Sequence, residues 1–425
     1  VSYTETQNSP YREQEKKMKT IAEHGTGPFK GRGSLYNIAE ELKRQRDARN
    51  DFVIDTNDLR FGLNEAGDPR LFASNSSAAD FIPRAGYPLL DQAFTQLCQK
   101  AHPGGIPTKF ARRAWEHNRR RFSDYITNLL YDNPKRRLVR VLDGKVRAFL
   151  GQNYKAIGSL EIATFALQQA EEHNALPIEA SITDQHMRLR FVSREVVEKL
   201  ERVRNESQHG WFAGGLGSKD ALRKVAAQHW GDLPGDQAHP AISFRNSETG
   251  HGGADADGGL LLACCFNLAW VVRGVHEVHI GEKLEEGVFT EATIRKHADL
   301  VQAKIRDFTK AHFDKERFAE LMAKTNNANE HQIKAPSVAL RVAIESSAAL
   351  ADDDLDQLLN YVSEQPGKAT AFNIGQAISR FAQDQTPDGG EELEWLAGQI
   401  CSGGMKREFA KAEDGYFAAL EKRYG

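Results

Sequence analysis

Along residues 35–49 the apolar positions Leu35, Ile38, Ala39 and Leu42 recur at helical intervals before a charged end, with Ser34 placed to cap them. The same spacing puts Leu90, Phe94, Leu97 and Cys98 on one face over 89–100, and Leu160, Ala163, Leu167 and Ala170 on one face over 159–173. Between 109 and 132 it predicts a single helix with Phe110, Ala114, Ile126, Leu129 and Leu130 inward, stopped by Asn133-Pro134. Ile294, Ala298, Val301, Ile305 and Phe308 carry a long amphipathic helix over 290–324. Elsewhere the period drops to two. Leu138, Val139 and Val141 lead into Asp143-Gly144, and Val146, Ala148 and Leu150 lead out, a strong hairpin signal. Residues 178–183 and 186–192 predict a second hairpin in which Met187, Leu189 and Phe191 alternate with Arg188 and Arg190. Ser193 is then placed to cap a helix reaching 206, and residues 240–246, 260–268 and 269–280 supply further strands.

Strand pairs flanked by helices predict an α+β fold: a largely antiparallel sheet built from hairpins, with an N-terminal arm and a helical C-terminal region. The expected division is an arm and loop-rich region over 1–86, an α+β core over 87–332 and an acidic helical region over 333–425. The arm is rich in glycine from Gly25 to Gly33, and Ser402-Gly-Gly404 breaks the C-terminal helices.

No apolar run approaches the roughly 18–20 residues that cross a bilayer, so no membrane partner is expected. Residues 1–19 are polar without an apolar signal core, and the four cysteines lack C-x-x-C spacing. The expectation is a cytoplasmic protein in a reducing compartment. The net charge of −3 hides a segregation: residues 109–147 hold 12 Lys/Arg against 4 Asp/Glu, and residues 345–425 hold 7 against 15.

That basic segment carries the main functional expectation. Arg112, Arg113, Arg119, Arg120, Arg121, Lys135, Arg136, Arg137 and Arg140 are candidates for phosphate contacts, and Trp115 and Tyr125 for base stacking. Cations that follow a backbone, with flat side chains between them, suit single-stranded nucleic acid. Arg140 and Lys145 are expected on one strand face of the hairpin. A plainer alternative is a solvated face whose arginines pair with the acidic C-terminal region.

The loop 246–259 offers Glu248, His251, Asp255 and Asp257, a possible hard-metal or acid–base set, or a mobile connection that touches ligand. Cys264-Cys265 with His276 and His279 invites a zinc reading, but neighbouring strand residues diverge, so no metal is expected there. Gly214 to Lys219 resembles part of a nucleotide loop, yet its lysine follows the serine. No cofactor motif stands out, and none is expected.

Several segments in order resemble a known family. These are Gly105-Ile-Pro107; residues 138–150 followed by Asn153-Tyr154-Lys155; Phe244-Arg-Asn-Ser-Glu-Thr-Gly250; Cys265-Phe-Asn-Leu268; Phe372-Asn-Ile-Gly-Gln-Ala-Ile-Ser-Arg380; and Leu393-Glu-Trp-Leu-Ala-Gly398. Together, across roughly 85–400, they look like the phage/plasmid-like protein domain family of unknown function. In that family the Asn-Ser pair is usually followed by His-Asp-Gly; here Glu248-Thr-Gly250 stands in its place. The resemblance implies a mobile element in a bacterial host and no established reaction. The leading expectation is a non-catalytic protein that binds single-stranded DNA, acts in recombination or replication by annealing strands, and assembles as a homo-oligomer. The alternatives are a metal-dependent nucleic-acid enzyme built on the 246–259 loop, and a protein-interaction or counter-defence module.

Overall fold

The structure, a computed structural model, describes residues 31–33, 35–155, 157–199, 237–262, 267–278, 290–365 and 368–424. The arm up to residue 30, Ser34, the stretch from Gly214 to Lys219, Cys264-Cys265 and His279 lie outside the described residues.

The chain begins with strand β1 (Gly31–Gly33) and helix α1 (Leu35–Ala48). Strands β2 (Phe52–Asp55), β3 (Leu59–Leu63) and β4 (Pro69–Ala73), the one-turn helix α2 (Ser76–Ala79) and strand β5 (Tyr87–Pro88) follow. Next come helices α3 (Asp91–Ala101), α4 (Thr108–His117) and α5 (Arg119–Asp132), then the hairpin β6 (Arg136–Leu142) and β7 (Lys145–Gly151). Asp143 and Gly144 both take positive φ, 51° and 69°, the tight turn that the Asp-Gly pair encodes. Two small sheets, β2-β6-β7 and β3-β4-β5, pack with these helices around Phe61, Leu71, Leu97, Ile126, Leu130, Val139 and Phe149. Residues 52–86 thus share one core with 87–150, and the boundary expected near 86 falls inside it. We call this unit the lobe.

The remainder is organised by one large antiparallel sheet. Helix α6 (Ser159–Glu172) leads to β8 (Ala175–Ile182), β9 (Met187–Ser193), β10 (Glu198–Lys199), β11 (Gln237–Asn246), β12 (Ala254–Leu262) and β13 (Asn267–Glu277). The order is β1-β8-β9-β11-β12-β13, with β10 paired to β11. Ser193 accepts the N–H groups of Glu195 and Val196 in a turn, and β10 stands where the predicted helix would run at Glu198–Lys199; residues 200–206 of that helix lie outside the described residues. Helices α7 (Glu291–His312) and α8 (Lys315–Glu330) replace the single helix predicted over 290–324, because Asp314 caps the second by accepting the Arg317 N–H at 3.1 Å. The C-terminal helices are α9 (Pro336–Glu345), α10 (Leu355–Ser363), α11 (Ala371–Ala382), α12 (Pro387–Cys401) and α13 (Lys406–Tyr424).

Both faces of the sheet are covered. Met187, Leu189, Phe191, Ile242 and Phe244 pack against α1, α6 and α7 through Ile38, Ile162, Phe165, Val301 and Ile305. On the opposite face Trp270 and Leu261 meet Trp395 of α12, while Leu260 and Leu262, on the first face by alternation, meet Phe318 and Met322 of α8 together with Phe372 of α11. A Cβ at Gly398 would sit 1.9 Å from the Trp270 carbonyl oxygen, so glycine lets α12 lie directly on β13. The alternation of Arg188 and Arg190 with apolar neighbours is real, but both arginines are buried beneath α12. This is an α+β fold with antiparallel sheets and a helical C-terminal region. Among the described residues no helix is long and apolar enough to cross a membrane.

Candidate nucleic-acid interface

Asn118 is extended (φ −155°, ψ 90°), and its side chain accepts the Arg121 N–H at 3.0 Å, so the helix predicted over 109–132 is two helices. The break resets which residues face inward. Helix α4 buries Ala111 and turns Trp115 toward the lobe core, which leaves Phe110, expected in that core, 57% exposed. On α5, Ile126 and Leu130 are buried while Tyr125 and Tyr131 are 47% and 69% exposed. Phe110 and Tyr131 were not among the expected stackers; Asn118 was the signal, since a side chain suited to capping interrupts the helical period there.

Trp115 has a different setting. Its ring lies 5.5 Å from Phe61 and 5.4 Å from Phe94 between centroids, and Arg119 covers it at 5.4 Å. Arg119 also donates to the Gly67 carbonyl at 3.1 Å. Trp115 is a packing residue at the edge of the core.

Arg112, Arg113, Arg119, Arg120, Arg121, Lys135 and Arg136 are all exposed. Arg112 pairs with Asp91 at 2.5 Å, and Arg136 stands 3.9 Å from Asp55. The side chains of Arg113, Arg120 and Arg121 have no ion-pair or hydrogen-bond partner among the described residues. Arg119, Arg120 and Arg121 form the first turn of α5, which contains no acid. Helix amides already present positive charge at that end, so this cluster raises the local potential and favours an anion.

Arg137 and Arg140 belong to the interior instead, each 5% exposed. Arg137 donates to the Lys100 carbonyl at 3.4 Å. Arg140 donates to Asp51 at 2.9 Å and to the Glu248 carboxylate at 3.3 Å. The register has a bulge at Arg140-Val141 and pairs Lys145 with Leu142, so Arg140 and Lys145 share a strand face as expected, but Arg140 is covered and Lys145 is exposed. Neither guanidinium is presented to a phosphate.

Arg140 leads to the loop 247–253, which is a buried joint and not a mobile connection. Ser247 and Thr249 are fully buried. The Thr249 carbonyl accepts from Gln92 and Gln96, each at 2.7 Å, and Asn246 donates to the Ile157 carbonyl at 2.9 Å. Glu248 receives Arg140, Arg147 at 3.2 Å and the Ser159 N–H at 2.6 Å. Burial would raise its pKa, yet the two arginines and that N–H outweigh burial and hold the carboxyl below its ordinary range. Burial also lowers the pKa of the Arg147 guanidinium.

The four residues expected as a metal or acid–base set are therefore dispersed. Glu248 is enclosed at the start of α6, His251 is exposed, and Asp255 and Asp257 lie on β12 beneath α12. Among the described residues no three His, Cys, Asp or Glu side chains converge as ligands. Beside Glu248 a cleft of about 640 Å³ opens, lined by Arg46, Arg49, Glu161, Gln168 and Gln302 among others. Its charges are mixed, which does not select one sign of ligand.

No family model matches this chain, and neither the curated proteins nor the solved structures contain a match to it.

Proposed function

We propose that the chain is a nucleic-acid-binding protein of a phage or plasmid that works without catalysis in the bacterial cytoplasm, as a homo-oligomer serving recombination or replication. Single-stranded DNA is its proposed ligand, and annealing of strands is the activity to test first. One observation carries the reading: Arg113, Arg120 and Arg121 are exposed, without partners among the described residues, on two consecutive helices that also expose Phe110, Tyr125 and Tyr131. Unneutralised guanidiniums attract a phosphate chain, and exposed rings give unstacked bases a surface of any sequence. Arg112, Arg119, Lys135 and Arg136 extend the charge on either side. The ordered resemblance to phage/plasmid-like proteins supports the mobile-element setting.

The test is binding of short single- and double-stranded DNA and RNA at two salt concentrations, for the wild type and R113E/R120E/R121E. Affinity should fall steeply with salt, with a log–log slope of about −0.7 per phosphate neutralised on a single strand. The triple variant should bind at least about tenfold more weakly, with a shallower slope. A smaller loss, with folding intact, removes this face as the interface.

A further inference from the structure

Charged side chains cross the main sheet in two rows beneath α12. In register, Ser181, Arg188, Arg245, Asp255 and His276 lie opposite one another on β8, β9, β11, β12 and β13. Two residues along the first four strands, and three along β13 across a bulge, runs a second row: Glu179, Arg190, Ser243, Asp257 and Arg273. Helix α12 lowers two carboxylates onto them. Glu391 contacts Arg188 and, at 3.3 Å, Arg245. Glu394 accepts from Arg190 at 3.0 Å and from the Trp270 indole at 2.8 Å. The sheet meets α12 partly through charge.

These charges do not cancel. Five carboxylates (Glu179, Asp255, Asp257, Glu391 and Glu394) face four guanidiniums (Arg188, Arg190, Arg245 and Arg273). The fourth guanidinium, Arg273, is 60% exposed and stands 4.0 Å from Asp257 Oδ1, stacked on Trp395. Asp257 is only 2% exposed, and its Oδ1 has no hydrogen-bond partner. Directly opposite on β11, the Ser243 hydroxyl is equally buried and also has none. Each is enclosed without a partner, so no hydrogen bond offsets the charge on that carboxylate oxygen. An uncompensated buried carboxylate is costly, and the smallest cation that cancels it is a proton.

We propose that the layer between the main sheet and α12 is a proton-binding site centred on Asp257, and that α12 docks most firmly while the proton is bound. The bound proton neutralises one of the five carboxylates. Burial first, then the negative Asp255 and Glu391, push the Asp257 carboxyl up to about 7, against the pull of Arg245 and Arg273. Burial and Glu179 also raise Glu394, although Arg190 and the Trp270 N–H oppose them. His276, with Nδ1 2.6 Å from Asp255 Oδ1, is the imidazole that faces this end and is half exposed. The folded chain holds the Asp257 proton more tightly than the unfolded chain, where the ordinary value is 3.8. Its stabilising contribution is complete below that value and fades as pH rises through about 7.

The experiment follows thermal unfolding of the full chain from pH 5.5 to 8.5, for the wild type, D257N and H276Q, with hydrogen exchange read over α12. The wild type should lose several degrees across neutrality, and α12 amides should lose protection after correction for intrinsic exchange. D257N should flatten both responses and melt above the wild type at pH 8, while H276Q keeps the slope. A D257N slope equal to that of the wild type overturns the proposal, as does a slope abolished only by H276Q. If D257N fails to fold, unchanged α12 protection in the wild type between pH 6 and 8 overturns it equally.

Discussion

The Glu248 carboxylate accepts the Ser159 backbone N–H at 2.6 Å, capping α6 from a residue 89 positions along the chain. The same carboxylate neutralises Arg140 and Arg147 of the lobe, so one side chain ties together a helix, a hairpin and the end of β11. Glu248→Gln keeps the shape and removes the charge. It should destabilise by about 3–5 kcal/mol, the range for stripping one partner from a buried ion pair. Because the Glu248 pKa is depressed, its contribution is present above its ordinary value of 4.5 and is lost as pH falls through the folded value. Urea unfolding at a series of acidic pH values should therefore show a steeper acid limb in the wild type than in the variant.

Trp115 separates packing from binding. Trp115→Ala should cost about 1–3 kcal/mol, less than a fully buried aromatic because the ring is only partly buried. Trp115→Phe should cost much less and leave nucleic-acid affinity unchanged. Denaturant melts and a binding titration on the same preparations distinguish the two roles, and a large affinity loss in the phenylalanine variant would return Trp115 to the interface.

Phe110, Tyr125 and Tyr131 should behave in the opposite way. Each change to alanine should weaken single-strand binding by about 1–3 kcal/mol. Stability should move by no more than about 0.5 kcal/mol, because these rings are largely exposed. Fluorescence anisotropy on a short oligonucleotide reads the first effect, and a melting curve reads the second. Unchanged affinity in all three variants removes the stacking role.

Gly398→Ala tests how closely α12 lies on the sheet. The added methyl would overlap the Trp270 carbonyl and must push the helix outward, at a cost of about 1–3 kcal/mol or more. Circular dichroism melts give the cost. Hydrogen exchange should place the loosening in α11, α12 and β13 and leave the lobe unchanged.

Local chemistry made much of this fold legible. Asp143-Gly144 marks its hairpin because both positions need positive φ, and Met187, Leu189 and Phe191 identify the inward face of β9 by alternation alone. What alternation cannot reveal is that the other face is buried as well. Nothing local shows that Arg188 and Arg190 are covered by Glu391 and Glu394, roughly two hundred residues later. Burial divides the basic segment for a related reason. Arg137 and Arg140 sit in the same run of positive charge as Arg120 and Arg121, and only tertiary packing separates buried guanidiniums from exposed ones. Asn118 was the one local clue that could have moved Phe110 from the core to the surface.

The lobe leaves the rest of the chain after α1 and returns to it before α6, and the end of α1 and the start of α6 line one cleft through Arg49 and Gly158. The lobe is therefore an insert with adjoining ends and a hydrophobic interior of its own, carried by a host sandwich that a short linker in its place could close. Such an arrangement lets the exposed arginines and rings be exchanged or grafted as one cassette. The graft would have to bring the Glu248 turn with it, or two arginines would be left without their counter-ion.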